Sequence, residues 1–343
     1  MKKLFYLFLF ALALAAFAPT PNAAEDHLTF PGKSGPGKGK TIVFIAGDEE
    51  YRSEESLPML AKLLSQRHGF DCTVLFSLDP TGSYIDPNNQ KSITHPELIA
   101  KADLIIIQTR FRQWSPEAYQ YLADYLNAGK PIIGLRTATH AFTGSGKTGD
   151  FKWDDFGLKI LGEKWVNHHG SHKVQGARGI IEPANAKHPI LNSVTDVFAP
   201  SDVYTVAHLD ENQSTVLLRG AVTASLDPAS KPIDGPKNNP TMPVAWTRSY
   251  TSPDGNKKGQ SFCTTMGASV DLKNEDLRRL LVNASYFLLN LPVPAKADVT
   301  IVDPYEPTMF GFNTAPDFYK NRNFQVSELT LGHTGSTGTG AKK

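Results

Sequence analysis

The sequence TIVFIA, residues 41–46, is bounded by Gly47 and leads into the polar stretch DEEYRSEE, residues 48–55. A continuous run of apolar and β-branched residues that ends at a glycine is typical of a strand buried on both faces of a sheet. The leucines of residues 56–65 then recur at helical spacing. Together this strand, loop and helix predict the first unit of an α/β domain.

The same unit recurs downstream. Further buried strands are predicted at residues 72–76, 104–107 and 131–135. Ser115, Pro116 and Glu117 are typical of a helix start, and this helix is expected to end near Gly129. In the second half of the chain we predict strands at 204–208, 215–218, 244–248 and 260–264, a hairpin turn at 252–255 and a helix over 274–291. The predicted fold class is α/β, with a mostly parallel central sheet and additional β-hairpins in the C-terminal half.

The two ends of the chain differ in composition from its body. Lys2 and Lys3, an apolar run over 4–18 and small residues at Ala23 and Ala24 are typical of a secretory signal peptide. The apolar run is shorter than the ~20 residues that span a bilayer, so we expect cleavage and no stable membrane insertion afterwards. The predicted organisation is a signal peptide (1–24), a linker (25–40), a main domain (41–294) and a C-terminal extension (295–343) with a disordered tail from residue 332. The expected location is periplasmic or secreted.

Composition excludes some classes of function. The chain has 343 residues, of which 40% are hydrophobic and 20% charged, as is ordinary for a globular protein. Removal of Lys2 and Lys3 would change the formal net charge from +1 to −1, so no nucleic-acid partner is expected. The two cysteines, Cys72 and Cys263, lie in predicted strands. We expect buried thiols there, although a disulfide stays open at this point.

Polar loops follow three of the predicted strands. In open α/β sheets, ligands bind beyond the carboxyl ends of the strands. The loops at 48–55, 109–112 and 136–140 are therefore candidates for a binding site. Glu49 and Arg52 lie near the first strand end and could face a ligand. Glu54 and Glu55 are instead interpreted as a solvated first helical turn that favours the helix dipole.

A second polar segment, WVNHHGSH at residues 165–172, is rich in histidine. His168, His169 and His172 could ligate zinc or iron, or they could supply acid and base near neutral pH. Their spacing matches no standard metal-binding motif, and at least one of them is expected to be structural. A divalent metal is therefore one possible cofactor.

The stretch KPIIGLR, residues 130–136, resembles the strand and elbow of class I glutamine amidotransferases. In those enzymes a cysteine nucleophile stands where this chain has Arg136, and arginine cannot act as a thiolate does. Glutamine amidotransferase activity is therefore not expected. The wider pattern from residue 40 to 294 resembles the ThuA-like (trehalose-utilisation) branch of that superfamily. Its motifs here are GDEEYR at 47–52, Gly134 with His140, Gly162 with the histidine segment, HPI at 188–190, DVY at 202–204, PVAW at 243–246 and FCTTMG at 262–267.

This resemblance implies a flavodoxin-like three-layer sandwich and a role in carbohydrate catabolism that includes oxidised (keto) disaccharides. Members of the family often carry histidine at the elbow and after the late glycine, where this chain has Arg136 and Ala268. The predicted catalytic residues are His140, Arg136 and Asp202. The predicted substrate-binding residues are Glu49, Arg52, Arg110, His169, Tyr204 and Trp246.

Each of these roles has a structural alternative. His140 suits general acid or base chemistry, but it could be a buried histidine bonded to backbone. Arg110 and Arg136 could orient sugar hydroxyls or stabilise an enolate oxygen, but they could also be held in ion pairs. Tyr204 and Trp246 could stack on sugar faces, although strand aromatics are more often core residues.

Three functions are consistent with these patterns. The first is an enzyme that isomerises, hydrates or cleaves a keto-sugar or glycoside by acid/base chemistry. The second is a non-catalytic glycan-binding protein, and the third is a metal-dependent hydrolase. In each case the expected partner is a small carbohydrate.

Overall fold

The structure is a computed structural model that describes residues 26–144 and 146–338. The predicted signal peptide lies outside the described residues. The strands are β1 (His27–Phe30), β2 (Thr41–Gly47), β3 (Asp71–Leu75), β4 (Leu104–Thr109), β5 (Ile132–Leu135), β6 (Lys147–Thr148), β7 (Phe151–Lys152), β8 (Ala177–Ile181), β9 (Phe198–Ala199), β10 (Ser214–Val222), β11 (Met242–Thr251) and β12 (Lys258–Thr264). The α-helices are α1 (Ser53–His68), α2 (Pro116–Asn127), α3 (Glu275–Leu288) and α4 (Phe318–Arg322).

Ten of the strands form one mixed sheet in the order β1-β3-β2-β4-β5-β12-β11-β10-β8-β9. Five strands that are neighbours in this order are parallel to one another: β3, β2, β4, β5 and β12. Numbered along the chain, these five strands have the order 2-1-3-4-5, which is the flavodoxin-like order. The strands from β12 to β9 pair in antiparallel fashion, and β11 and β12 form the predicted hairpin. The predicted fold class is confirmed.

Helices cover both faces of the sheet. In β2, Ile42 and Phe44 belong to the core that also contains buried residues of α1 and α3. Val43 and Ile45 point the other way, into the core that contains α2. Because side chains alternate across a strand, a run of seven residues such as TIVFIAG can supply both cores at once. This arrangement is the predicted three-layer sandwich.

Local sequence signals explain where two of the helices begin. The Ser115 side chain accepts a hydrogen bond from Ala118 N (3.2 Å), and Pro116 occupies the first helical position of α2. Asn274 caps α3 in the same way, through Leu277 N (2.8 Å). Side-chain caps of this kind satisfy N–H groups that have no partner within the helix.

Two segments differ from the prediction. The predicted linker contains β1, which pairs antiparallel with β3 at the edge of the sheet. The predicted strand at 204–208 is absent, since only Tyr204 makes an isolated bridge, to His168. The reason is Glu163, whose carboxylate accepts from the backbone N–H groups of Ala207 and His208 at 2.8 Å each. Those groups are therefore not available to a neighbouring strand.

The C-terminal extension packs against α1. Thr308 N donates to Glu55 (2.8 Å), and the buried Thr337 donates through its hydroxyl to Glu54 (2.7 Å). Glu54 and Glu55 are consequently buried, so the prediction of a solvated helical turn is wrong. The described part of the predicted disordered tail, residues 332–338, is held by these contacts.

Both cysteines are buried free thiols, in β3 and β12. Within the described residues, no helix has the length and apolar character that crossing a bilayer requires.

Candidate active site

Three loops at the carboxyl ends of neighbouring parallel strands each hold a residue with positive φ. These are Arg52 after β2 (φ 60°), Phe111 after β4 (φ 51°) and Arg136 after β5 (φ 44°). Residues other than glycine rarely adopt this conformation, and strained positions of this kind concentrate at functional sites. The same strand ends meet at the point where the strand order of the sheet reverses, which is where such sheets bind ligands.

Arg136 forms the buried base of the site together with Asp202. Its guanidinium donates to Asp202 Oδ1 (2.7 Å), to the backbone oxygen of Asp202 (2.6 Å) and to Thr265 O (2.7 Å). The guanidinium carbon also lies 4.5 Å from the ring centroid of Tyr51 and 3.7 Å from that of Tyr204. With its side chain fully buried, Arg136 acts as a positioning group for Asp202.

Asp202 receives two further hydrogen bonds from the histidine segment. His168 Nδ1 lies 2.8 Å from Asp202 Oδ2, and His172 Nδ1 lies 3.3 Å from Asp202 Oδ1. Burial would raise the pKa of Asp202, but Arg136 and the two histidines outweigh burial and hold the pKa well below its usual range. The carboxylate is therefore ionised at every physiological pH.

Backbone pairing brings the histidine segment to Asp202. His169 N and Gly170 N both donate to Val203 O, at 2.8 and 3.0 Å. A Cβ atom at Gly170 would lie 3.0 Å from the Cβ of Asp202, a closer approach than nine in ten real Cβ contacts. Glycine at this position therefore allows the two chain segments to pack closely.

His172 bridges two carboxylates. In addition to its contact with Asp202, its Nε2 lies 3.3 Å from Glu50 Oε1. Hydrogen bonds to Asp202 and Glu50 raise the pKa of His172 to about 8. The imidazole is therefore mostly protonated near neutral pH.

His140 has the opposite environment. Burial, together with the positive charges of Arg110 and Arg136, lowers its pKa well below the usual value. The hydroxyl of Thr139 donates to Arg136 O (3.4 Å) and so accepts from His140 Nδ1 (3.2 Å). The Nδ1 side of the ring therefore faces Thr139, and among the described residues no hydrogen bond is found at Nε2.

These groups surround a cavity of about 240 Å³. Its lining combines charged side chains, histidines and aromatic rings: Glu50, Arg110, His140, Trp165, His168, His172, Lys173, Tyr204 and Phe312. The indole Nε1 of Trp165 is buried without a hydrogen-bond partner in the described residues.

Glu49 fixes Arg110 in the wall of the cavity. Its two carboxylate oxygens accept from Arg110 Nη1 (2.5 Å) and from Arg112 Nη2 (2.6 Å). Burial raises the pKa of Glu49, while the charges of Arg112 and Arg110 oppose that effect. Glu49 thus positions Arg110, and both of its carboxylate oxygens already accept hydrogen bonds from arginine side chains.

One wall of the cavity comes from the C-terminal extension. Arg52 Nη2 donates to Gly311 O (2.6 Å), and Gly311 N donates to Glu50 O (2.7 Å). Next to this anchor, the Phe310 ring packs on His172 (5.4 Å between centroids) and the Phe312 ring lies 4.9 Å from the Arg110 guanidinium carbon. Arg52 therefore holds the wall and does not line the cavity itself.

The structure brings together five of the residues predicted from the sequence, which all line the cavity: Arg110, His140, His168, His172 and Tyr204. Arg136, Asp202 and Glu49 support them. His169 and Trp246 lie elsewhere, since His169 Nε2 is bonded to Lys237 O (2.7 Å) and the fully buried Trp246 donates to Leu161 O (2.8 Å) in the core. Neither side chain lines the cavity, and their assignments to substrate binding stay predictions.

Four residues that line the cavity were not among the predicted site residues: Glu50, Trp165, Lys173 and Phe312. Glu50, Trp165 and Lys173 lie in or next to the two polar segments already singled out, so their proximity was the available signal. Phe312 gave no such signal, because its position depends on a contact between Arg52 and Gly311 that joins residues 259 positions apart.

His168, His172 and Asp202 offer possible metal-ligand atoms within 4.8 Å of one another. These atoms are already hydrogen-bonded to one another, and Arg136 lies 2.7 Å from Asp202 Oδ1. A buried guanidinium beside the carboxylate opposes the binding of a second cation. The arrangement therefore suits an anion-stabilising site better than a metal centre.

Comparison with known proteins identifies the family. A ThuA (trehalose utilisation) family model matches residues 40–288. Similar solved structures include a ThuA-like protein from Bacteroides uniformis, with 14% identity, 75% of this chain and 93% of that chain covered, and a TM-score of 0.45. Another ThuA-like protein, from Parabacteroides merdae, has 16% identity, covers 81% of this chain and 96% of that chain, and gives a TM-score of 0.47. No curated protein matches the sequence. The chain belongs to the ThuA, or trehalose utilisation, family, as its sequence motifs predicted, and this membership relates it to carbohydrate metabolism.

Proposed function

We propose that this protein is an enzyme that transfers protons on an oxidised (keto) sugar, isomerising it or cleaving a bond next to its carbonyl group. The observation that carries the proposal is the pair His140 and His172. Both line one cavity, and their surroundings shift their pKa values in opposite directions. Two titratable groups separated in this way are suited to act as base and acid at one pH.

His140 is the proposed general base. We assign the proton of the neutral ring to Nδ1, beside the Thr139 hydroxyl, and the lone pair to Nε2. A neutral imidazole at the cavity wall can remove a proton from a carbon next to a sugar carbonyl. Phe111 and Trp165, whose ring centroids lie 5.0 and 5.2 Å from that of His140, limit the orientations of the imidazole.

His172 and Arg110 are the proposed groups for the oxygen of that carbonyl. Removal of the proton places negative charge on this oxygen, and positive donors fixed in advance lower the barrier to its formation. Arg110 is held by Glu49, and His172 is held by Asp202. Both His172 contacts are 3.3 Å, but Glu50 also lines the cavity, so a ligand oxygen there can replace Glu50 as the partner of the Nε2–H.

The size and lining of the cavity support a small sugar. At about 240 Å³, the cavity is below the ~300–1,000 Å³ of pockets for drug-sized ligands, which favours a ligand of one sugar ring. Aromatic rings of Trp165, Tyr204 and Phe312 can pack on apolar sugar faces.

The proposal is tested by proton exchange, which does not depend on knowing the product. Purified protein is incubated in D₂O with a panel of keto-sugars and keto-disaccharides, and exchange next to the carbonyl is followed by NMR. We expect exchange with the wild type and a loss of about 10²–10⁴-fold in His140→Ala. His169→Ala is the matched control, since His169 lies in the histidine segment beside the cavity but its side chain is bonded to Lys237 O.

Two outcomes would replace the proposal. Sugar binding by calorimetry without exchange or product would identify a glycan-binding protein. A stoichiometric divalent metal in the purified protein that is lost in His168→Ala would instead identify a metal-dependent hydrolase. His168, His172 and Asp202 would then be the metal ligands.

We also propose that the protein is exported before it acts. Support comes from the charged start, the apolar run and the small residues at Ala23 and Ala24. Cell fractionation and the intact mass of the secreted chain test this point. A chain that keeps residues 1–24 and stays in the cytoplasm would contradict it.

A further inference from the structure

We propose that Asp26, His27 and His95 form a second ligand site, which binds a divalent transition-metal ion such as Zn²⁺. The three residues share no member with the cavity, so this inference does not rest on the proposed function. Asp26 and His27 lie at the start of β1, and His95 directly precedes the helical turn Pro96–Lys101.

The ligand atoms are already close together. His95 Nε2 lies 3.0 Å from each carboxylate oxygen of Asp26, and His27 Nδ1 lies 2.9 Å from Asp26 Oδ1. One ligand atom from each residue falls within 4.8 Å of the others. Tetrahedral zinc with bonds of about 2.0–2.1 Å separates its ligand atoms by roughly 3.3 Å, so small side-chain rotations suffice.

Glu97 provides an independent reason to expect a metal. His95 Nδ1 lies 2.7 Å from Glu97 Oε1 and donates to it, and Nε2 donates to the Asp26 carboxylate at 3.0 Å, so a metal ion bound here would take the place of the Nε2 proton. Histidines that bind metals usually donate their other N–H to a carboxylate, which fixes the ring and raises its basicity. The backbone of His95 also has a positive φ of 44°, an uncommon conformation that holds the ring in place.

Charge favours a cation here, in contrast to the cavity. Among the described residues, Asp26 and Glu97 form ion pairs with histidines and with no lysine or arginine. A metal ion that takes the place of the His95 Nε2 proton would lie beside the negative charge of Asp26, with that of Glu97 on the far side of the ring. At the cavity, by comparison, the Arg136 guanidinium forms an ion pair with Asp202 and so balances its negative charge.

A bound ion would fasten the start of the folded domain. It would connect Asp26 to His95, which is 69 residues away, and so hold the edge strand β1 against the loop before residue 96. Three protein ligands leave one position for water or for a group from another molecule. The predicted cleavage bonds, after Ala23 or Ala24, precede all of these ligands, so a mature chain would keep the site.

The test is Zn²⁺ binding by calorimetry, with protein purified without a histidine tag. We expect one site in the wild type that His95→Ala abolishes and His333→Ala, a change at an exposed histidine elsewhere, preserves. Glu97→Gln should weaken this site by about 10- to 100-fold, because it removes the group that orients His95. Co²⁺ bound at the same site should show the visible absorption of a four-coordinate ion, and His27→Ala should remove it.

The outcomes separate the possibilities. No Zn²⁺ binding by the wild type would overturn the inference, and so would binding that survives His95→Ala. Binding lost in His168→Ala, with His95→Ala unaffected, would overturn it as well and would assign the metal to the cavity.

Discussion

The loops after β2, β4 and β5 differ sharply from the histidine segment at residues 165–173, although both surround the same cavity. In the loops, Glu49, Arg112 and Arg136 have side chains that are 7%, 0% and 0% exposed, and each is held by ion pairs. In the histidine segment, the side chains of His168 and His172 are 31% and 25% exposed. The loops thus form a rigid charged base, whereas the segment presents groups that can exchange protons with solvent and ligand.

This difference separates two kinds of contribution to a site. Buried ion pairs are strongly destabilised when one partner is removed. Partly exposed ion pairs contribute little to stability, and the raised pKa of His172 lies close to neutral pH. Substitutions in the loops should therefore change folding, and substitutions around the histidine segment should change pH dependence and ligand binding.

The largest effect is expected from Arg136→Met. This change leaves Asp202 buried without its cation, and we expect the free energy of unfolding to fall by about 3–5 kcal/mol. Urea denaturation of the purified variant measures the loss. The double variant Arg136→Met with Asp202→Asn should recover part of it, because the uncompensated charge is gone. A loss below about 1 kcal/mol would show that the loops are not the rigid base described above.

A smaller effect is expected from the titration of His172. Its pKa is raised to about 8 in the folded protein, above the ~6.5 of an unfolded chain, so its stabilising contribution is complete below about pH 6.5 and is lost as pH rises through about 8. Because the ring is partly exposed, we expect about 1 kcal/mol or less. Urea unfolding at about pH 6 and about pH 9 should show this difference in the wild type and not in His172→Gln. An unchanged pH dependence in His172→Gln would contradict it, and His333→Gln is the control.

The smallest effect on stability is expected from Phe312→Ala. This ring is 49% exposed, so the free energy of unfolding should change by no more than about 0.5 kcal/mol. The lost contact with Arg110 should raise KM for a keto-sugar by about 2- to 5-fold with kcat nearly unchanged, as expected from a cation–π contact of about 0.5–1 kcal/mol. Leu331→Ala, an exposed apolar position in the same extension, is the control. Equal effects of both variants would exclude a specific role for the Phe312 ring.

The parallel sheet could be predicted because each of its strands is recognisable from its own residues, without knowledge of its neighbours. Runs such as residues 41–47 are apolar on both faces, and the cap at Ser115 is a local feature of the chain. Arg110, Arg136 and His140 were likewise predicted to lie in one region. Each follows a parallel strand, and the carboxyl ends of neighbouring parallel strands lie at the same edge of the sheet.

The side-chain directions could not be predicted in the same way. Trp246 and Trp165 are both tryptophans near polar motifs, yet one fills the core and the other lines the cavity. Which of them faces a ligand depends on pairing between distant segments. The burial of Glu54 likewise depends on Thr337, 283 residues later, and no local pattern records that contact.

Phe312, one of the residues that line the cavity, lies beyond residues 40–288, the part of the chain that matches the ThuA family model. The other eight lining residues, which include the proposed base and acid, belong to the matched part, so the edge of the cavity at Phe312 is encoded separately from them. This edge can therefore vary during evolution independently of the proton-transfer groups. Exchanging the extension between related proteins should then alter which sugar is accepted and leave the proton-transfer groups in place.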